Sequence, residues 1–370
     1  MKNIDTLLRY LIISIFFSNF FVVNLYSQSS SISKSEKMHK SVRFGAYYFD
    51  GWTGIYPWHI TPELVKSFPN REPKWGWITS SQEVMNEQIS LASKSGLSFF
   101  SFCWYYNGKE KYKTEPLNRS LSFYLNSPNI GKLEYNLLIA NHAGFIIGPD
   151  DWSTVCEEWI NQFKSKAYLK IDGKPLITFF TLNTLLDKFQ TEERVKDAFN
   201  RLKKQAVESG LEGVLIAVAL GPNKSDISRA EACGVDILTG YNYHDVGFVS
   251  GKSIVPIENL QKKEINVWNK FSKISSLPYI PVVTLNWDPR PWASTSKDYA
   301  SSPYFTGFSE SSIYNSILAC KKWLETNSNN TFKEKIGFIY AWNEYGEGAY
   351  LTPTKDGGNP LGGVKKALEN

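Results

Sequence analysis

Eight short apolar runs recur along this 370-residue chain, and helical patterns separate most of them. Few folds accept that alternation. The runs at 43–49, 97–104, 135–140, 174–180, 213–219, 235–239, 280–285 and 336–341 read as buried strands, being brief and rich in β-branched and aromatic residues. Helical spacing fills 81–95 before Gly96, 117–125, about 151–163, 191–208 before Gly210, a short piece up to Cys233, 257–271, 311–324, and a last piece after Pro360. Strands alternating with helices demand a parallel sheet, and eight such units predict one (β/α)8 TIM barrel rather than an open doubly wound sheet. No Gly-rich phosphate-binding turn follows any strand, which weakens the dinucleotide-binding alternative. The interval 53–79 carries Trp and Pro without periodicity and reads as a long ordered strand-to-helix loop.

Residues 1–27 stand apart from this pattern. Lys2 and Arg9 give a positive start, 11–25 is an apolar segment short for a membrane span, and Tyr26 and Ser27 open a cleavage region. The expectation is a secretory signal peptide over 1–27, a polar linker over 28–40 and the barrel over 41–370, exported to periplasm, cell surface or medium. A retained N-terminal anchor is the alternative, because Leu25 is not small; once a leader is removed, no stable membrane insertion is expected. Losing Lys2, Arg9 and Asp5 takes the formal net charge from +5 to +4, and the lysines are scattered, so a nucleic-acid partner is not expected. Cys103, Cys156, Cys233 and Cys320 lack C-x-x-C spacing, and His, Asp and Glu lack metal-ligand spacing. No metal or cofactor is therefore expected. One disulfide is possible in an exported chain, but buried thiols suit a core of this size better. A monomer is expected.

In such a barrel the catalytic face lies at the C-terminal ends of the strands. The residues there are Tyr47, Tyr48 and Asp50; Trp104, Tyr105 and Tyr106; Asn141 and His142; Phe180 and Thr181; Tyr241, Asn242, Tyr243 and His244; Asn286, Trp287, Asp288 and Arg290; and Asn343, Glu344 and Glu347. Only the fifth strand, followed by Leu220, Gly221 and Pro222, ends in a plain turn. Aromatic residues form 15% of the chain, and rings beside Asn, His and Asp groups suit a carbohydrate ligand. Tyr47 and Tyr48 cannot both face inward if the strand alternates; Tyr48, in phase with Ala46 and Asp50, is the expected one.

Glu344 and Glu347 are the candidate catalytic pair. Glycosidic cleavage needs two carboxyl groups flanking the bond, one donating a proton to the leaving oxygen and one acting on the sugar side. Burial against Trp342, Tyr345 or Tyr350 would raise one carboxyl and supply the acid. Blander explanations exist for each feature. A Glu-x-x-Glu spacing also occurs at exposed helix starts, His142 could be a buried structural histidine, and Asp288 with Arg290 could be a loop salt bridge.

The stretches GAYYFDGW, FFSFCWYY, ANH, PVVTLNWDPRPW and AWNEYGEGAYLTPT run in this order over about 43–360. Together they resemble the glycoside hydrolase family 99-like proteins, including the WbsX-like group. The resemblance implies a (β/α)8 barrel and metal-independent, retaining chemistry of the endo-α-mannosidase type. On the matching motif, Glu347 would be the general acid/base and Glu344 the sugar-side carboxylate, which deprotonates the substrate 2-hydroxyl. The chain departs from the well-studied members at Tyr345 and Gly346, where they carry Trp and His, and at Ala349, where they carry Thr. The expected function is a secreted retaining hydrolase of an α-linked glycan, with a noncatalytic glycan-binding barrel or a glycosyltransferase as alternatives. Against transfer, the chain shows no phosphate-binding or divalent-metal motif.

Overall fold

The computed structural model describes residues 42–327, 331–332 and 334–369, so the expected leader and linker lie outside the described residues. The barrel strands are β1 (Arg43–Tyr48), β2 (Phe99–Trp104), β3 (Glu134–Ile139), β4 (Lys174–Phe179), β5 (Leu215–Ala219), β6 (Ile237–Thr239), β7 (Val282–Thr284) and β8 (Ile336–Tyr340). They pair in parallel in the order β6-β5-β4-β3-β2-β1-β8-β7. The ends of that order nearly close the barrel: Leu238 in β6 bridges to Tyr279 just before β7, its N–H donating to Pro278 O and its carbonyl accepting from Ile280 N, both at 2.9 Å. The fold expected from the strand count is the fold observed.

Helices cover the outside, the longer ones each burying one apolar stripe. In α2 (Gln82–Lys94), after the short helix α1 (Pro62–Ser67), Met85, Gln88, Ile89 and Ala92 are buried, the spacing of a single helix face. Ser81 caps its first turn. The following helices are α3 (Arg119–Leu125), α4 (Trp152–Phe163), α5 (Asn183–Phe189), α6 (Glu192–Glu208), α7 (Lys224–Ala232), α8 (Ile257–Ile274), α9 (Glu310–Thr326) and α10 (Leu361–Glu369). All four cysteines are buried free thiols. Among the described residues, no helix is long and apolar enough to cross a membrane.

Two elements differ from expectation. The 53–79 interval is not one continuous loop: Thr61 accepts from Leu64 N, Pro62 sits in the first turn, and α1 with the 3-10 turn Pro69–Arg71 follows. Leu64 is the only buried residue of α1, so the segment has no repeat for a periodicity argument to detect. Helix α5 fills the gap ahead of α6; it buries Leu185, Leu186 and Phe189, but its 7 residues are too few for that spacing to repeat.

The strand order places the site. β8 lies between β1 and β7, so the loops after β1 and β7 flank whatever β8 presents. These loops dock on one another, with the Thr61 hydroxyl donating to Pro291 O at 2.9 Å. The loop after β7 also pairs with the one after β6, Tyr304–Thr306 running parallel to Ile254–Pro256 over a small core of Val255, Ile257, Leu260 and Phe305.

Candidate active site

Beyond β8 the chain folds back on itself. Asn343–Glu344 pairs antiparallel with Ala349–Tyr350, and the turn between them is a 3-10 segment, Tyr345–Glu347, closed by Gly348. Gly348 has φ 71°, and a Cβ there would lie 2.9 Å from Asn286 Nδ2 and 3.1 Å from the Arg71 guanidinium carbon. Only glycine suits both the left-handed backbone and that close approach. This tight hairpin brings Glu344 and Glu347, three residues apart, to one cleft.

Asn343 anchors the hairpin to β1. Its Oδ1 accepts from Phe49 N at 2.9 Å, its Nδ2 donates to Phe49 O at 2.6 Å, and its carbonyl accepts from Trp52 Nε1 at 2.7 Å. The side chain is fully buried, so losing it strands two backbone groups away from water. Asn343→Ala should cost about 2–4 kcal/mol, from one to two unsatisfied buried groups. Chemical denaturation checks this; a loss below about 0.5 kcal/mol would mean that water replaces the amide.

Arg71 performs the corresponding task for β7. Its Nη1 donates to Tyr345 O at 3.1 Å and Asp288 O at 3.2 Å, while Nη2 pairs with the Asp288 carboxylate. Asp288 also accepts from Arg290 Nε at 2.7 Å and Nη2 at 2.8 Å, and its backbone N–H donates to Glu347 O at 2.7 Å. One buried guanidinium therefore ties three loops together beneath the acids.

The cleft above them has a volume of about 740 Å³. Glu344 Oε1 accepts from the Tyr241 hydroxyl at 3.0 Å. Burial pushes the Glu344 carboxyl up to about 7, with the Tyr241 bond pulling the other way. Glu347 keeps part of its surface open to the cleft, and desolvation still pushes it up to about 8, opposed by hydrogen bonding from Trp292. Tyr241 is itself held well above the usual phenol range, by burial first and by Glu344 next, so it stays a neutral donor. The opposite wall consists of Tyr105, His142, Phe145 and Phe180, with His142 edge-on to Tyr105 at 5.9 Å and to Phe180 at 5.6 Å. Burial lowers the His142 pKa, which favours the neutral imidazole. Two unequal carboxyls in one cleft can divide acid and base roles between them.

Of the residues expected to surround this site, Glu344, Glu347, Tyr105, His142 and Tyr241 line the cleft. Tyr48, Asp50, Trp104, Asn141, Asn242, Trp287, Asp288, Arg290 and Asn343 do not. The phase of β1 is opposite to that expected. Tyr47 points inward, stacking on Phe338 and donating to Gly240 O at 2.7 Å, whereas Tyr48 packs on Phe100 and Phe102. Asp50 instead accepts from Ser80 and from Ser120 N near the start of α3. Trp104 faces Trp159 of α4, because Tyr105, its neighbour in alternation, takes the inward position. Asn141 stitches β3 to the β4 loop through Thr181 and Thr184. Asn242 pairs with His244, whose ring stacks on Trp287 at 3.7 Å, and both lie on the loop cluster outside the cleft. Asp288 and Arg290 form the loop ion pair, Arg290 lying 3.5 Å over the Tyr304 ring.

Sequence periodicity did not single out Tyr56, Trp58, His59, Trp292 and Tyr299, which line the cleft from the loops after β1 and β7. Their one sequence signal is the aromatic density of those loops. Among the described residues, no group of three or more His, Cys, Asp or Glu side chains has a metal-binding arrangement.

The family model described as Glycosyltransferase WbsX matches residues 77–360. No curated protein matches by sequence. Among solved structures, a glycoside hydrolase-like protein superposes with a TM-score of 0.61 at 14% identity, over 89% of this chain and 94% of that one. The GH99 endo-α-mannosidase from Bacteroides thetaiotaomicron superposes with a TM-score of 0.58 at 14% identity, over 88% of this chain and 96% of that one. At such identities the likeness is one of fold.

Proposed function

The chain belongs to the WbsX family, and from that membership and the site we propose that it is a retaining glycoside hydrolase acting on an α-linked glycan. The observation that carries this reading is the Glu344–Glu347 hairpin, which turns two carboxyls with unequal, raised pKa values into one aromatic cleft. The motif resemblance assigns the roles, and the raised carboxyls are compatible with them. Glu347, raised to about 8, keeps its proton at neutral pH and donates it to the leaving oxygen. Glu344, raised only to about 7, is the carboxyl that ionises first and acts on the sugar side.

The first step breaks the glycosidic bond. Glu344 takes the proton of the substrate 2-hydroxyl, that oxygen attacks the anomeric carbon, and the leaving oxygen departs with the proton from Glu347. A 1,2-anhydrosugar results. In the second step Glu347, now ionised, takes a proton from water as the water oxygen attacks the anomeric carbon. The anhydro ring opens, and Glu344 returns its proton to O2. Two displacements at one carbon give net retention. Tyr241 orients Glu344 and preserves a neutral donor beside it. Export follows from the leader expected over 1–27, which would place the enzyme among extracellular or periplasmic glycans.

Incubation with a panel of α-linked oligosaccharides, with the first-formed anomer followed by NMR, tests the scheme. Retention is expected, and inversion would contradict the assigned roles. The family description favours a second reading, glycosyl transfer. Supplying nucleotide sugars with acceptor glycans separates the two: transfer products without hydrolysis would replace the present proposal.

A further inference from the structure

We propose that the cleft is built for an uncharged glycan chain longer than the pair of sugars being separated, with Tyr56, Trp58 and Tyr299 as an outer stacking site. The hydrolase reading enters only in naming the ligand as carbohydrate. Among the described residues, three aromatic side chains are exposed, Tyr56 at 77%, Trp58 at 62% and Tyr299 at 37%. All three line the cleft. Single exposed apolar residues need no explanation, but rings gathered at the mouth of one cleft mark a contact surface. A ring offers a flat apolar face, which suits the C–H face of a sugar, and leaves polar hydroxyls free at its edge.

The loops that carry these rings are anchored at their flanks. Tyr56 and Trp58 lie between two anchors: Trp52, whose indole donates to Asn343 O, and Thr61, whose hydroxyl donates to Pro291 O. His59 beside them packs edge-on against Phe49 at 4.9 Å and Trp292 at 5.9 Å. Tyr299 comes from the other docked loop, in the 3-10 turn Lys297–Ser301 capped by Ser296. The two loops flank β8 on either side, so the exposed rings extend the cleft outward from the acids. Preformed loops of this kind lower the ordering cost of binding.

The charge of the lining selects among glycans. Glu115, Glu344 and Glu347 line the cleft, and among the described residues no Lys or Arg does. A uronate or sulfate would meet carboxyl groups with no cation to pair it, which disfavours anionic chains. Neutral hydroxyls find acceptors and donors there, Glu115 itself being held by Asn107 Nδ2 at 2.6 Å.

Calorimetry on the full chain carrying Glu347→Gln, which binds without cleaving, tests this with ladders of α-linked manno- and gluco-oligosaccharides from disaccharide to hexasaccharide, and a uronate-containing ladder beside them. Affinity for a neutral ladder should rise at least about tenfold with length, the increment of one good contact. Trp58→Ala combined with Tyr299→Ala should remove that gain, and Trp58→Phe should keep most of it. Uronate chains should bind more weakly than neutral chains of equal length. Affinity independent of length, unchanged by the ring substitutions, greater for uronates, or absent for every neutral ladder overturns the proposal. So does a concentration-dependent dimer that Trp58→Ala dissolves, since the rings would then face a second copy. Length-dependent binding by a wild-type protein that cleaves nothing keeps this site and sinks the hydrolase reading. Cleavage without length dependence does the reverse.

Discussion

Glu344→Gln and Glu347→Gln should each lower glycan cleavage by roughly a thousandfold or more while the far-ultraviolet circular dichroism stays unchanged. The two variants should differ in how the remaining rate depends on pH. In the wild type, kcat/KM should rise as the free-enzyme Glu344 loses its proton through about 7 and fall as Glu347 loses its proton through about 8. The optimum is thus neutral to slightly alkaline. Glu344→Gln removes the acid limb, and Glu347→Gln removes the alkaline limb. A profile that keeps both limbs in either variant would mean that other groups titrate.

The same residues make an opposite prediction for stability. Both folded-state pKa values exceed the ordinary carboxyl value of 4.5, so folding favours the proton. Stability is then lost as pH rises from about 4.5 through 7 and 8, where the buried carboxyls must ionise. Glutamine does not titrate. Glu347→Gln should therefore match the wild-type Tm under acid conditions and equal or exceed it at alkaline pH, the common exchange of stability for function at an active site.

The barrel was legible because its signal is repeated eight times and each instance is local. A buried strand such as Phe99–Trp104 and a helix with an intact stripe and cap such as Gln82–Lys94 announce themselves within a dozen residues. The acid pair was legible for a related reason: Glu344, Glu347 and Gly348 belong to one short hairpin, Asn343–Tyr350, whose geometry is set by its own turn. What surrounds the pair was less so. Alternation alone does not separate Tyr48 from Tyr47, because aromatic residues fill both faces of β1, leaving no polar alternation to fix the phase, and the inward stack of Tyr47 on Phe338 depends on a strand nearly 300 residues away. Asn141, Asp288 and Asn343 share the chemistry of ligand-binding side chains, yet Asn141 and Asn343 are consumed by backbone partners in a neighbouring loop and Asp288 by the Arg71 and Arg290 guanidinium groups. Arg71 carries no local mark at all. Its partners at Asp288 and Tyr345 lie more than 200 positions along the chain.

Gly346→Ala should produce the other large effect, through a residue on a different loop. A Cβ at position 346 would fall 2.0 Å from Cζ2 and 2.5 Å from Cε2 of Trp292, so the indole occupies the volume that a side chain between the two acids would need. Where the well-studied family 99 members place a histidine beside the second acid, this chain supplies a ring from the loop after β7. The Trp292 backbone is fixed in its turn, its N–H donating to Pro289 O at 2.9 Å and its carbonyl accepting from Thr295 N at 2.8 Å, so the clash must turn the ring away. The indole is also the group that opposes desolvation of Glu347. Gly346→Ala should thus cost about 10–100-fold in kcat/KM, the scale of an ångström-size misplacement, and should move the alkaline limb to higher pH as Glu347 loses its partner. Adding Trp292→Ala should remove the clash, but it cannot restore the N–H, so the limb should stay displaced. If the double variant instead recovers both rate and limb, Trp292 merely fills space. Wild-type behaviour of Gly346→Ala alone would place the indole elsewhere in the working enzyme.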